Sequence, residues 1–311
     1  MTRPPRPSSS ACDPPVTAPD ARATEVALVT CADERYQEPE VHVAADALRA
    51  TGVQTDVVSW DEDRDWGAYE LVVVRTPWDY FDRVNQFLDW AARVERETTL
   101  VNPADVLRWN SHKGYLAELT AKGVPTVPTR LVPGPSIDVA DQIREVPWDE
   151  IVVKPAIDGG ARHAWRGLRD DPSLSRVAER LADHGDVVVQ PFVPAIVDGE
   201  RSLVFLGGRF SHAVRKVPKE GDYRSQRHLG GREVDHEPDS AELQVALAAM
   251  AAAPGRLTYA RVDLVDWEDA PVLIELEVIE PDLFLRDVPE RVDRFVEVVQ
   301  EELALVRTPA P

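Results

Sequence analysis

Apolar residues fall in short runs along the chain, and the runs alternate with stretches of helical spacing. "EVALVTC", residues 25–31, predicts a first strand. "PEVHVAADALRATG" follows with Val43, Ala47 and Leu48 on one helical face and a stop at Gly52. "VQTDVVSW" and "YELVVVRTPWDY" predict a second and a third strand, "VNQFLDWAARVER" a helix and "TTLVNP" a short strand. Strand, helix, strand, strand, helix, strand is an α/β order with a mostly parallel sheet. Such sheets bind ligands at the carboxyl ends of their strands. "RTPWDY" stands at such an end, so Arg75 and Asp79 are candidate substrate contacts; the alternative is an Arg–Asp pair that holds a loop.

After residue 105 the pattern changes. "ADVLRWNSHKGYLAELTAKG" reads as one helix ending at Gly123, followed by the extended "VPTVPT". "WDEIVVKPAIDGGARHAWR" is a strand, a lysine, and a glycine loop leading into another strand. "GDVVVQPFVPAI" is a strand broken by prolines 191 and 194. "DGERSLVFLGGRFSHAVRKVP" reads as a hairpin turning at Gly207-Gly208. "SAELQVALAAMAAA" is a helix, "TYARVDLVDWEDAPVLIELEVIEP" a second hairpin turning near Glu268-Asp269, and "ERVDRFVEVVQEELALV" a terminal amphipathic helix.

Composition narrows the chemistry. The 311 residues suffice for two or three domains, and the net charge of −20 argues against nucleic acid or an anionic membrane as the main partner. No run of 18 apolar residues exists, so no transmembrane helix is expected. Residues 1–24 are rich in Pro, Ser and Ala and read as a disordered leader without a secretory signal; "RTPAP" at the other end is expected to fray. Only Cys12 and Cys31 are present, and Cys12 falls in the leader, so a reducing cytoplasm fits.

"PVLIELEVIEP", residues 271–281, is an apolar strand interrupted by acids. Strand alternation turns Glu275 and Glu277 to one face, and Glu280 follows at the end. Two like charges in an apolar run repel and resist desolvation. Asp263 lies on the other arm of the hairpin and can meet them. Oxygen-only ligands suit Mg²⁺ or Mn²⁺, and magnesium is usually shared with substrate phosphates, which points to a nucleotide. Lys113, Lys154 and the loop with Gly159 and Gly160 offer cations and close backbone approach. Each feature has a plainer alternative: a solvated glutamate pair, a surface lysine, a glycine turn. Neither G-x-x-x-x-G-K-[ST] nor G-x-G-x-x-G occurs.

The order "WNSHKGYL", "IVVKPAIDGG", "VVVQPFVPAIVDGERSLVFLGGRFSHAVRKVP", "DYRSQRHLGGR" and "ARVDLVDWEDAPVLIELEVIEP" resembles the ATP-grasp ligases of the bacterial glutathione synthetase type. "VALVTC", "RTPWDY" and "WNSHK" are similar to the cyclo-ligase group of D-cycloserine biosynthesis, which acts on O-ureido-D-serine. The resemblance implies an α/β (α+β) ATP-grasp fold: an N-terminal parallel α/β domain at 25–107 and an ATP-grasp domain at 108–311, with a small central lid at about 126–189. It further implies that Lys113 and Lys154 grip the ATP phosphates under a lid at Gly159-Gly160. Gln190, Phe192 and Val193 would form the adenine hinge, and Glu200 would bind the ribose. Arg201 and Lys216 would touch the transferred phosphoryl group. Arg224, Gly230, Gly231 and Glu280 would face the substrate, and Asp263, Glu275 and Glu277 would hold two Mg²⁺ (or Mn²⁺) ions. Glu277 departs from the family's usual E-x-N by keeping an oxygen ligand while adding charge. Arg162 and His163 after the glycines depart from the usual lid.

The activity so implied is ATP-dependent activation of a small amino-acid carboxylate as an acyl phosphate, attacked by a nitrogen nucleophile, in specialised metabolism. Intramolecular cyclisation and the joining of two substrates are both open. So are a monomer and a homo-oligomer. A nucleotide-binding module without activity is the remaining rival, and the intact set of lysines and acids speaks against it.

Overall fold

The computed structural model describes residues 24–33, 35, 39–135, 138–225, 227–286 and 288–308. The expected leader, except residue 24, lies outside the described residues, as do Cys12 and residues 309–311 of the expected frayed end.

Strands β1 (Val26–Thr30), β2 (Thr55–Ser59), β3 (Leu71–Thr76) and β4 (Thr99–Val101) form a parallel sheet in the order β2-β1-β3-β4. Every residue of β1 and β3 is buried, as a sheet covered on both faces requires. Helix α1 (Pro39–Ala50) covers one face and α2 (Val84–Glu97) the other. The buried stripe of α1 is Val41, Ala44, Ala45 and Leu48, at i, i+3, i+4 and i+7. Val43, expected on that stripe, faces solvent instead.

The single helix expected after residue 105 is two, α3 (Ala104–Asn110) and α4 (Tyr115–Ala121). Between them the backbone N–H of Lys113 leaves the helical ladder and donates to Ala156 O at 2.8 Å. Lys113 therefore sits in the break, docked against the next sheet. That sheet is antiparallel and joins β5 (Arg130–Val132), β6 (Glu150–Pro155), β7 (Trp165–Leu168) and β8 (Val187–Pro191) in the order β5-β8-β6-β7. Helices α5 (Val139–Arg144) and α6 (Pro172–Ala182) pack on one face, against Val132, Ile151, Val153, Val187 and Val189. The opposite face looks into the molecule's main cleft.

The third sheet is antiparallel, β11-β10-β9-β12-β13. It comprises β9 (Glu200–Leu206), β10 (Arg209–Val217), β11 (Arg232–Asp235), β12 (Tyr259–Trp267) and β13 (Ala270–Glu277). Both expected hairpins form. Their turn residues, Gly207-Gly208 and Glu268-Asp269, all have positive φ, as a turn matching strand twist demands. Helix α7 (Ser240–Ala252) begins with a capping box between Asp239 and Glu242. Helix α8 (Pro289–Arg307) packs with α1 on the parallel sheet. It runs further than the expected fray point: Arg307 ends it and holds Glu70 at 2.8 Å. Among the described residues no helix is long and apolar enough to cross a membrane.

Candidate active site

A cleft of about 730 Å³ opens where the three sheets meet. Its floor is the β12–β13 ladder. Asp263 stands opposite Glu275, and Arg261 opposite Glu277, so strand alternation turns all four side chains toward the cleft. The repulsion that the sequence raised is met by internal cations. Lys113 Nζ lies 3.1 Å from Glu275. Arg261 donates to Asp263 at 2.8 Å and also binds Glu277. Lys216 Nζ reaches Glu200 at 2.5 Å and Asp263 at 3.3 Å, and Ser202 Oγ donates to Asp263 at 2.6 Å.

Burial works against the charge on Asp263, but Arg261 and Lys216 outweigh it and hold the carboxyl well below the usual range. Burial pushes Glu277 up to about 8, with Asp263, Glu275 and Glu280 adding to the rise against Arg261. Lys113 and Lys154 differ in the same way. Burial lowers both, but Glu275 beside Lys113 reverses the direction there, whereas Lys154 stays lowered. Among the described residues no acid lies within ion-pair distance of Lys154. It is a half-buried ammonium facing the cleft from the end of β6.

Among the described residues, no three acids or other ligand-type side chains stand together as a group that could hold a metal ion. The donor chemistry of Asp263, Glu275 and Glu277 nevertheless fits a hard cation, being all oxygen and turned into one cleft. Their spacing is set by Arg261, which occupies the place between Asp263 and Glu277.

The remaining expected residues divide in two. Gly159, Gly160, Gln190, Phe192, Val193, Glu200, Lys216, Arg224 and Glu280 all line the cleft. A Cβ on Gly159 would come within 3.0 Å of the Phe81 ring, and Gly160 has φ +65, so both positions favour glycine. The side chain of Gln190 donates to Thr129 Oγ1 at 2.9 Å, and the N–H of Phe192 is taken by Glu150 O at 2.9 Å. Arg224 folds back on Asp222 at 2.9 Å.

Arg201, Arg75, Asp79, Gly230 and Gly231 are not in the cleft wall. Arg201 is one residue out of phase with Glu200, so β9 turns it to the opposite face of the sheet, where Asp266 and Glu242 hold it at 2.7 and 2.9 Å. Arg75 is fully buried between Glu40 and Pro281 O, and Asp79 is taken up by Trp60 Nε1 and Arg83. The structure thus turns Arg201, expected at the phosphoryl group, and Arg75 and Asp79, expected at the substrate, to partners outside the cleft. The loop they belong to does reach the cleft, through Trp78, Tyr80 and Phe81. Arg261 was missed although its position was readable: it stands two residues before Asp263 on one strand, hence on the same face.

Lysines and acids thus face one another across the cleft between the two antiparallel sheets. Residues 124–283 match the prokaryotic glutathione synthetase ATP-grasp domain, and residues 26–102 match the D-cycloserine synthetase DcsG N-terminal domain. The chain belongs to this glutathione synthetase-like ATP-grasp family. It is 32% identical over 304 residues to the cycloserine biosynthesis protein DcsG of Streptomyces lavendulae, covering 89% of this chain and 98% of that protein. It is 30% identical over 186 residues to a glutathione synthetase of Prochlorococcus marinus, covering 58% of this chain and 56% of that protein. The crystal structure of D-cycloserine synthetase DcsG superposes with a TM-score of 0.80 at 32% identity, covering 89% of this chain and 99% of that one. D-alanine–D-alanine ligase from Bacillus anthracis shares the fold, with a TM-score of 0.69 at 13% identity over 92% of this chain and 99% of that one. The protein is thus an ATP-dependent carbon–nitrogen ligase.

Proposed function

We propose that this ligase activates the carboxylate of a small amino acid as an acyl phosphate and that a nitrogen of the same molecule then closes a ring. The observation that supports cyclisation best is that the similarity to DcsG, whose structure is described as a D-cycloserine synthetase, runs through the N-terminal sheet as well as the ATP-grasp region. In this reading residues 25–107 and 108–311 are the two working domains, with residues about 126–189 as the lid, in a cytoplasmic enzyme.

The substrate carboxylate attacks the γ-phosphorus of ATP. The new O–P bond forms as the bond to the β-bridging oxygen breaks, and ADP leaves with that electron pair. The nitrogen then attacks the carbonyl carbon, the C–O bond to phosphate breaks, and the proton shed by nitrogen leaves with phosphate. Lys113 and Lys154 neutralise phosphate charge, and Lys216 steadies the transferred phosphoryl group. Gln190, Phe192 and Val193 frame the base and Glu200 the ribose. Asp263, Glu275 and Glu277 would hold Mg²⁺ or Mn²⁺, two ions in all, and the ions would supply Lewis-acid charge at the phosphates. Arg261 keeps the extra charge of Glu277 compensated. The Gly159-Gly160 loop, pinned by Arg162 lying 3.9 Å from the Phe81 ring, keeps water from the acyl phosphate.

The test is product analysis with ATP, Mg²⁺ and amino acids supplied singly and in pairs. A single amino acid giving ADP and a product lighter by one water confirms cyclisation. A requirement for two amino acids makes the protein a peptide-type ligase instead.

Lys154 gives a second, separable expectation. Its ammonium has no acid within ion-pair distance among the described residues, and ATP phosphate would supply the partner. Lys154→Met is expected to weaken ATP binding by about 1.5–3 kcal/mol, the scale for a hydrogen bond to a charged group. Calorimetry that finds unchanged affinity removes Lys154 from the nucleotide site.

A further inference from the structure

One acid in the cleft differs from the others. Asp263, Glu275, Glu277, Glu200 and Asp282 each meet an arginine or lysine at ion-pair distance. Glu280 meets none among the described residues. The Tyr80 hydroxyl acts on it from the same wall, and Lys113 and Arg261 act on it from a distance. The carboxylate opens onto the cleft beside the glycine loop: Oε1 would lie 3.7 Å from a Cβ on Gly159.

The backbone under Glu280 is fixed on both sides. Trp78 Nε1 donates to Glu280 O at 3.0 Å, and Arg75 Nη2 donates to Pro281 O at 3.0 Å. The main chain that carries the carboxylate is therefore held in place before any ligand arrives, which reduces the ordering cost of binding one. A half-buried carboxylate without a counter-charge is costly unless a ligand supplies that charge. The rings of Trp78 and Tyr80 line the same wall, and aromatic surface beside a carboxylate suits an ammonium. Lys154 is the matching case of opposite sign. The cleft thus leaves one cation for a phosphate and one anion for something positive.

We infer that Glu280, flanked by Tyr80 and Trp78 in the cleft wall, binds the protonated α-amino group of the acid substrate and so selects amino acids over acids that lack the amine. The inference rests on the ligase reading above and assigns the substrate class to a particular side chain.

The test uses the full-length protein, ATP, Mg²⁺ and a panel of D- and L-amino acids that includes serine and O-ureido-D-serine. The best substrate is compared with the same acid carrying hydrogen in place of the amino group. For wild type, kcat/KM should fall about 10- to 100-fold without the amine, the loss of one charge-assisted contact. Glu280→Gln should lower kcat/KM for the amino acid by a similar factor. It should leave the value for the deaminated acid, the ATP affinity and the Mg²⁺ titration unchanged. Equal turnover of both acids by wild type overturns the subsite while the ligase reading stands. A shifted Mg²⁺ dependence in the variant overturns it too, by making Glu280 a metal ligand. ADP release with no member of the panel overturns the ligase reading, and the subsite with it. The wild-type comparison holds even if the variant misfolds.

Discussion

A Glu275→Gln variant is expected to fold like wild type and to lose about 100- to 1,000-fold in ADP-forming turnover, the scale for removing one preorganised electrostatic contact in an active site. The carboxylate opens onto the cleft with 29% of its side chain exposed, so the amide replaces it without disturbing the core. The change removes one negative charge from the set that faces the metal and leaves Lys113 without its 3.1 Å partner. Both effects act where phosphoryl charge develops. Two measurements separate them from simple unfolding. The melting temperature without ligand should match wild type, while the rise in melting temperature on adding Mg²⁺ with nucleotide should shrink. Near-normal turnover at saturating Mg²⁺ would remove Glu275 from the metal site.

The hairpin behind that prediction was legible because strand alternation is strict. Once β12 and β13 were read as one hairpin, Asp263, Glu275 and Glu277 had to share a face, and they do. The same rule, applied to β9, would have separated Arg201 from Glu200. The family resemblance speaks of a charged residue on this strand, but the parity of β9 puts Arg201 on the other face of the sheet, with Asp266. Helices α5 and α6 escaped notice because residues 133–186 hold short segments rich in Asp, Arg and Pro, with few apolar repeats. The signals were there in α6: Asp171 as N-cap, Pro172 in the first turn, and Leu174, Ala178 and Ala182 on the buried side. The break at Lys113 was not legible locally at all. It exists because the N–H of Lys113 bonds to Ala156, 43 residues away by their numbers, and helix spacing on either side of it is intact.

Arg75 shows the limit of position along a strand as a guide to function. It stands where an open parallel sheet presents ligand-binding groups, yet it is 0% exposed and makes its contacts inward. Its Nη2 donates to Glu40 at 2.8 Å and to Pro281 O at 3.0 Å, and its guanidinium carbon lies 5.1 Å from the Tyr259 ring and 5.6 Å from that of Phe295. Glu40 in turn accepts from the N–H groups of Leu283 and Leu285 at 3.2 and 3.0 Å. The pair therefore ties the end of β3 and the start of α1 to the segment that follows β13. Arg75→Ala should cost about 3–5 kcal/mol, because burial and Asp282 already push the Glu40 carboxyl up to about 8 and the change removes the cation that opposes that rise. In a protein of this size that lowers the melting temperature by on the order of 10 °C. Arg75→Met combined with Glu40→Gln should be less destabilised than Arg75→Met alone, since no uncompensated charge then remains. If Arg75→Ala melts like wild type and raises only the KM for the amino acid, Arg75 contacts substrate and the buried-pair account is wrong.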